Sequence, residues 1–457
     1  KTIMNRLKGR TIVITLLSGA LLLMLLLFMF KYETDGKKWA SFPANSHVYD
    51  QGILTAGTVL DRNGTVLLET KEGKRIYHEQ KVIRKSTLHV VGDAAGNIGS
   101  SAQTFFADKL IGYSMVNGVF SLRGEGRKLY LTIDAELNST AYQALDGRKG
   151  CVAVYNYHSG EMLCQVSSPG FDPAAPPDPA AISSADGVYI NRFLSSTFVP
   201  GSVYKLVTTA AAIDTLPNFS TWKFTCTGNI DKGESTITCP KAHGELDIYD
   251  ALTVSCNCAF AQLAEELGQK KLAEYAEKTG LTRPVDVDGY QTAAGSFDAD
   301  QQQLGQVAWS AIGQGNDLVN PCAMLNFMGG IANHGKAVTP KLIKKITTPA
   351  GIPVYFDIMP SKQTLLNKKT ADTLSEMMRN NVVNNYGQSN FGQLPICAKS
   401  GTAEVGEGAA PHAWFVGFLQ DPLHPLAFVV MVENGGGGSA VAGKIANKVL
   451  QEAYNAN

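Results

Sequence analysis

The 457-residue chain carries no excess charge of either sign: Lys plus Arg number 40, and Asp plus Glu number 40. No basic run lies beyond the extreme N-terminus, so a nucleic-acid footprint of clustered cations is excluded. Past residue 30 no stretch reaches the roughly eighteen uncharged apolar residues of a membrane-spanning helix, which excludes a polytopic membrane protein. Zinc-ligand spacing is missing too. Among the eight cysteines, Cys256 and Cys258 form only C-x-C, and no second Cys/His pair stands at ligand distance along the chain. Neither a metal nor a cofactor is expected. What remains, with 44% hydrophobic and 18% charged residues, is enough chain for two or three folded domains.

The N-terminus supplies the one long apolar run. Residues 11–30, TIVITLLSGALLLMLLLFMF, carry no charge, and a helix of that length rises about 30 Å, the thickness of a bilayer core. Lys1, Arg6, Lys8 and Arg10 precede it, so the positive-inside rule puts residues 1–10 in the cytoplasm as a tail. A cleaved signal peptide is the competing reading. The following KYETDGKKWASF offers no small-x-small cleavage site, and a retained single-pass anchor with the remaining chain outside is expected.

Beyond the anchor, GILTAGTVLDRNGTVLLET alternates apolar residues around Arg62-Asn63-Gly64, which predicts a β-hairpin. Residues 31–145 read as a small membrane-proximal module without evident chemistry. Residues 146–457 read as a second domain. It opens with two apolar β runs joined at His158-Ser159-Gly160, and residues 202–214 and 257–280 have helical composition. It closes with strands HAWFVGFLQ and HPLAFVVMVENGG and an amphipathic helix over 444–455. Strands at both ends with helices between predict an α+β domain whose antiparallel sheet joins early and late segments. Cys226 and Cys239 flank a turn between two short strands. They are either a disulfide or two free thiols.

Ser-x-x-Lys occurs twice, at Ser202–Lys205 and Ser220–Lys223. Ser202 opens SVYKLVTTAAAIDTL, where helical residues three apart share a face and free N–H groups favour developing negative charge. Ser220 lies in β-like alternation with Trp222, Phe224 and Cys226, where residues three apart point to opposite faces. Ser202 is therefore the candidate nucleophile. It needs a base, and a lysine serves if burial or a second cation keeps it neutral. Two segments could supply the second lysine. Lys278-Thr279-Gly280 ends a predicted helix, and capping explains it. Lys399-Ser400-Gly401-Thr402 continues an apolar run as a polar strand, and its glycine allows close approach of a ligand. Ser255-Cys256-Asn257 precedes an apolar helix and could by itself be a helix cap.

Taken in order, Ser202-Val203-Tyr204-Lys205, Ser255-Cys256-Asn257 and Lys399-Ser400-Gly401 resemble the S-x-x-K, S-x-N and K-[ST]-G signature of the penicillin-binding protein and serine β-lactamase superfamily. NRFLSSTFVPGSVYK, SAIGQGNDLVNP and HAWFVGF look like segments of its class B, the monofunctional D,D-transpeptidases of peptidoglycan. The chain has Ala56-Gly57 where that class often has Arg-Gly, and Ser400 where Thr is commoner. The resemblance implies a five-stranded antiparallel sheet with helices on both faces, an all-helical subdomain, and a β-rich, dimerisation-like pedestal on one transmembrane helix. It implies Ser202 as nucleophile, Lys205 as base kept neutral with help from Lys399, Ser255 as proton relay and Asn257 as substrate-orienting amide. Ser400, Gly401 and Thr402 would hold the substrate carboxylate and help form the oxyanion hole. The partners implied are stem peptides, β-lactams and a polytopic glycan polymerase of the shape, elongation, division and sporulation family. Rival readings are a D,D-carboxypeptidase, a β-lactam-hydrolysing relative, or a non-catalytic scaffold of a wall-synthesis complex.

Overall fold

A computed structural model describes residues 2–456 except 43, 47, 52, 114–117, 120–124, 184–185, 299–302, 357–360 and 407. It begins with one long helix, Thr2–Ala40, whose apolar stretch is long enough to cross a membrane and buries nothing against the rest of the protein.

The catalytic-side sheet has five antiparallel strands in the order Ile396–Ala403, His412–Leu419, Leu426–Val432, Gly150–Asn156, Met162–Ser168. Early and late chain segments thus pair as expected. The three central strands are apolar at almost every position because both faces are covered. On one face Trp414, Val416 and Phe418 pack with Met431, Cys151 and helix Pro321–Ala332. On the other, Phe415, Phe428 and Val154 pack with helices Ala135–Leu145 and Gly443–Asn455. The strand periodicity of two sends alternate residues to the two cores. Helix Ala135–Leu145 starts where Asp134 accepts from the backbone N–H groups of Glu136 and Leu137. It packs on this sheet and also meets helix Lys81–Ser86, Asn138 Nδ2 donating to both the Gln165 and the Ser86 carbonyls.

Both predicted hairpins form. Strands Thr58–Leu60 and Val66–Lys71 pair across a turn in which Asp61 Oδ1 accepts from the N–H groups of Asn63 and Thr65. Asn156 does the same for His158 and Ser159 in the second. The membrane-proximal sheet contains six strands, and two of them, Ile343–Thr347 and Pro353–Phe356, come from far along the chain. Lys128–Leu131 lies between Thr58–Leu60 and Ile343–Thr347.

The region from residue 205 to 311 carries helices Lys205–Thr215, Ile248–Thr253, Asn257–Leu267, Gln269–Lys278 and Leu304–Ala311. A β insertion interrupts it. Of the two alternatives open for Cys226 and Cys239, a disulfide or two free thiols, the structure has the free thiols. Cys226 ends a strand that pairs with Gly244–Leu246, while Asn229–Lys232 and Ser235–Thr238 form a hairpin of their own. The two cysteines therefore do not face each other across one ladder. Their Sγ atoms nevertheless lie within 4.8 Å of one another, of Cys256 Sγ and of a His243 ring nitrogen.

Candidate active site

Ser202 stands in a 3₁₀ turn, Gly201–Tyr204, and the α-helix begins only at Lys205. The sequence predicted α-helix from Ser202 onward. The tighter turn serves the pairing equally well, since side chains three apart eclipse in a 3₁₀ segment. Two glycines let this turn lie against strand Ile396–Ala403. Gly201 has φ +58, and a Cβ there would stand 2.8 Å from the Thr402 carbonyl oxygen. A Cβ on Gly401 would stand 2.8 Å from the Pro200 carbonyl oxygen. Only glycine fits at this seam. It sets Ser202 and Thr402 side by side in a cleft of about 590 Å³, together with Ser255, Asn257, Ser400 and Trp309.

Behind Ser255 and Asn257 stand two lysines that are wholly buried, Lys205 and Lys399. Lys205 Nζ donates to the Ser255 carbonyl at 2.8 Å, to Ser255 Oγ at 3.2 Å and to Asn257 Oδ1 at 2.7 Å. Lys399 Nζ donates to the same Ser255 Oγ at 3.1 Å and to the Ser400 carbonyl at 2.9 Å. Two amines thus converge on one hydroxyl, leaving its own proton free to point into the cleft. None of the Lys205 hydrogen bonds goes to Ser202. Burial lowers the Lys205 amine from 10.5 to about 8, while the nearby thiols of Cys256, Cys239 and Cys258 pull the other way. Lys399 falls well below the usual lysine value, first through burial and then through the charge of Lys205. The two amines repel one another across Ser255, so a charge on either disfavours a charge on the other.

Ser255 adopts φ +54, a left-handed conformation costly for a non-glycine residue. It does not cap the following helix. Cys256 does, its Sγ accepting from the Ala259 N–H. Neither reading of the motif as a cap on Ser255 or Asn257 holds. The Asn257 side chain donates to the Thr238 carbonyl, and Asn380 and Asn385 grip Thr253 one turn earlier. The strained loop is over-determined from three sides.

Sequence reasoning missed Tyr386. It ends a π-helical turn, Val382–Tyr386. Its hydroxyl accepts from the Ser400 N–H at 2.8 Å and stands 3.0 Å from Ser400 Oγ. Either hydroxyl can donate in the second contact, so Tyr386 and Ser400 order one another. Nothing in the local sequence around Tyr386 signals this contact, which spans 14 residues and two element types.

The rejected candidates lie elsewhere. Ser220 is exposed in a 3₁₀ turn, not in a strand, and Lys223 pairs with Glu245 at 2.6 Å. Lys278 ends helix Gln269–Lys278 and pairs with Asp214, and Gly280 follows with φ +81.

Residues 150–451 match the family described as penicillin binding protein transpeptidase domain. The chain belongs to that family. Among its relatives, the peptidoglycan D,D-transpeptidase PbpA of Mycolicibacterium smegmatis is 28% identical over 369 residues, 74% of each chain. The stage V sporulation protein D of Bacillus subtilis is 26% identical over 72% of this chain and 53% of its own. The D,D-transpeptidase domain of a peptidoglycan glycosyltransferase from Eggerthella lenta superposes with a TM-score of 0.76 at 26% identity, covering 88% of this chain and 98% of that one. This penicillin-binding protein is therefore of class B, and its three signature motifs are the segments that line the cleft.

Proposed function

We propose that this penicillin-binding protein cross-links peptidoglycan stem peptides through an acyl-enzyme on Ser202. The convergence of two buried amines on Ser255 Oγ beside Ser202 carries the reading. Ser202 Oγ attacks the carbonyl of the penultimate D-Ala, and neutral Lys205 accepts its proton. The N–H groups of Ser202 and Thr402, held adjacent by the glycine seam, stabilise the oxyanion. Ser255 then passes a proton from the lysine pair to the departing D-Ala amine. The C–N bond breaks and an ester on Ser202 remains. Lys399, Ser400 and Thr402 hold the terminal carboxylate, and Asn257 orients the substrate amide. The amine of a second stem peptide attacks the ester and forms the new amide, its proton passing through Lys205 to the departing Ser202 Oγ, which restores the hydroxyl and the neutral amine. A β-lactam opens its ring on Ser202 and has no leaving group that departs.

The chain is a single-pass membrane protein in this reading, with residues 31–145 as the membrane-proximal module and the catalytic domain outside. A polytopic glycan polymerase of the shape, elongation, division and sporulation family is its proposed partner, meeting the anchor and the membrane-proximal module. The test is labelling of the purified protein by a fluorescent penicillin. Wild type and Ser220→Ala should label equally and Ser202→Ala not at all. Labelling of Ser202→Ala refutes the assignment. Product analysis with a stem peptide, with and without an acceptor amine, separates transpeptidation from hydrolysis.

A further inference from the structure

Behind the Ser255 loop lies a group of side chains that the acyl-transfer reading leaves unused. Cys226, the loop that carries Cys239 and His243, and Cys256 come from three separate segments, and the four ligand atoms all lie within 4.8 Å of one another. We propose that these four residues bind one divalent ion of the zinc type, and that the ion holds the Ser255-Cys256-Asn257 loop in its working conformation.

The distances fit a tetrahedron. Metal–sulfur bonds of about 2.3 Å and metal–nitrogen bonds of about 2.0–2.1 Å give sulfur–sulfur edges of about 3.8 Å and sulfur–nitrogen edges of about 3.6 Å. Cys239 Sγ stands 3.7 Å from Cys256 Sγ, and Cys226 Sγ stands 3.5 Å from His243 Nδ1. The widest edge needs to close by no more than about 1 Å to complete the shell.

The surroundings are those of a thiolate site. The Cys258 N–H points at Cys239 Sγ and the Ala259 N–H at Cys256 Sγ, at 3.5 and 3.4 Å. Backbone donors of this kind orient metal-bound sulfurs and offset their charge. Cys226 and Cys256 are buried, whereas Cys239 and His243 are only partly covered and leave an entry path. Three sulfurs and an imidazole select a borderline-soft tetrahedral ion over calcium or magnesium. Cys258 has a different role. Its Sγ stands 3.5 Å from Cys239 Sγ and 3.6 Å from the Ile237 carbonyl, outside the four-ligand group.

The location gives the ion its consequence. Cys256 is the middle residue of the motif, between Ser255 with its left-handed backbone and Asn257, which holds Lys205. His243 lines the cleft itself. Tying Cys256 to the β insertion therefore fixes both the relay hydroxyl and the cleft wall. A loop free to shift by about 1 Å would cost up to roughly a hundredfold in acylation rate.

The experiment uses the full chain purified in detergent without added metal. Elemental analysis should find one zinc per chain. Chelator under reducing conditions should remove it and slow penicillin acylation at least about tenfold, and added zinc should restore both. Cobalt(II) in its place should give the visible thiolate charge-transfer and tetrahedral ligand-field bands. Cys239→Ser and His243→Ala should lose the metal, whereas Cys258→Ser and Ser202→Ala keep it. The last of these separates metal binding from the acyl-enzyme assignment. The proposal is overturned if wild type takes up neither zinc nor cobalt, if mass spectrometry without reductant shows Cys239 in a disulfide with Cys256 or Cys258, or if metal content is the same in all variants. The chelation and refilling of wild type decide the matter even if a ligand variant fails to fold.

Discussion

Acylation by this penicillin-binding protein should rise with pH through an inflection near 8, set by one buried amine. Lys205 is wholly enclosed, and burial brings it from 10.5 to about 8. At pH 7 about one amine in ten is then neutral and able to take the Ser202 proton, against about one in three thousand for an exposed lysine. At pH 9 the neutral share is about nine in ten, so the second-order acylation rate should climb about tenfold between pH 7 and pH 9. The gain has a cost in stability. Holding that ammonium in the fold destabilises it on the order of 3 kcal/mol, fully present below pH 8, where the amine is charged in both states. Between about pH 8 and 10.5 the unfolded chain binds the extra proton, so this cost is relieved as pH rises through that window. The assay is stopped-flow or gel-based acylation with a fluorescent penicillin across pH 6.5 to 9.5, with stability followed in parallel by denaturant unfolding. A rate that is flat from pH 7 to 9, or that rises only near 10.5, would show that Lys205 is not the base or is not desolvated.

Three further outcomes follow from the geometry of the cleft and the core. Tyr386→Phe removes the hydroxyl that orders Ser400. It should raise the KM for carboxylate-bearing substrates about tenfold, by about 1–2 kcal/mol of lost hydrogen bonding, while the unfolding midpoint moves little; an unchanged KM would separate Tyr386 from substrate binding. Gly201→Ala drives a Cβ toward the Thr402 carbonyl at a positive φ. It should destabilise by about 1–3 kcal/mol and lose penicillin labelling, and wild-type labelling would mean the turn and strand are not as tightly seamed as described. Arg192→Ala leaves Glu433 without its partner at a nearly buried ion pair. Calorimetry should show a loss of about 3–5 kcal/mol with acylation of the folded fraction intact.

Much of this site was legible because its chemistry is carried by short motifs whose neighbours along the chain share an element. Ser202 and Lys205 sit within one turn, and an S-x-x-K spacing reads correctly whether that turn is α or 3₁₀. Strand periodicity sorted Lys399 from Ser400 because the five-stranded sheet alternates between two cores. Most of the rest depended on contacts that no spacing encodes. Tyr386 reaches Ser400 from a π-helical turn that has no sequence signature. Cys239 and His243 stand at C-x3-H spacing on one loop, a pair the sequence reading passed over, and the β insertion brings Cys226 and Cys256 to them. The same insertion brings Cys226 and Cys239 close as free thiols, one of the two alternatives the sequence left open. Which sheet covers helix Ala135–Leu145 was likewise not legible: its apolar face is complete, but a sequence does not say what packs on it.

The membrane-proximal sheet bears on how this molecule can be divided or inherited. Lys128–Leu131 is flanked on one side by Thr58–Leu60 and on the other by Ile343–Thr347, so the chain leaves the catalytic region, repairs the sheet near the membrane and returns. A cut near residue 145 would not release an independent catalytic module. It would leave Ile343–Thr347 with a bare edge of N–H and C=O groups and uncover Ile343 and Ile346, both now buried, an invitation to aggregate. Swapping the membrane-proximal part for that of another protein would require residues 343–356 to travel with it. The stem and the catalytic body are one hereditary unit, joined by a strand that belongs to both.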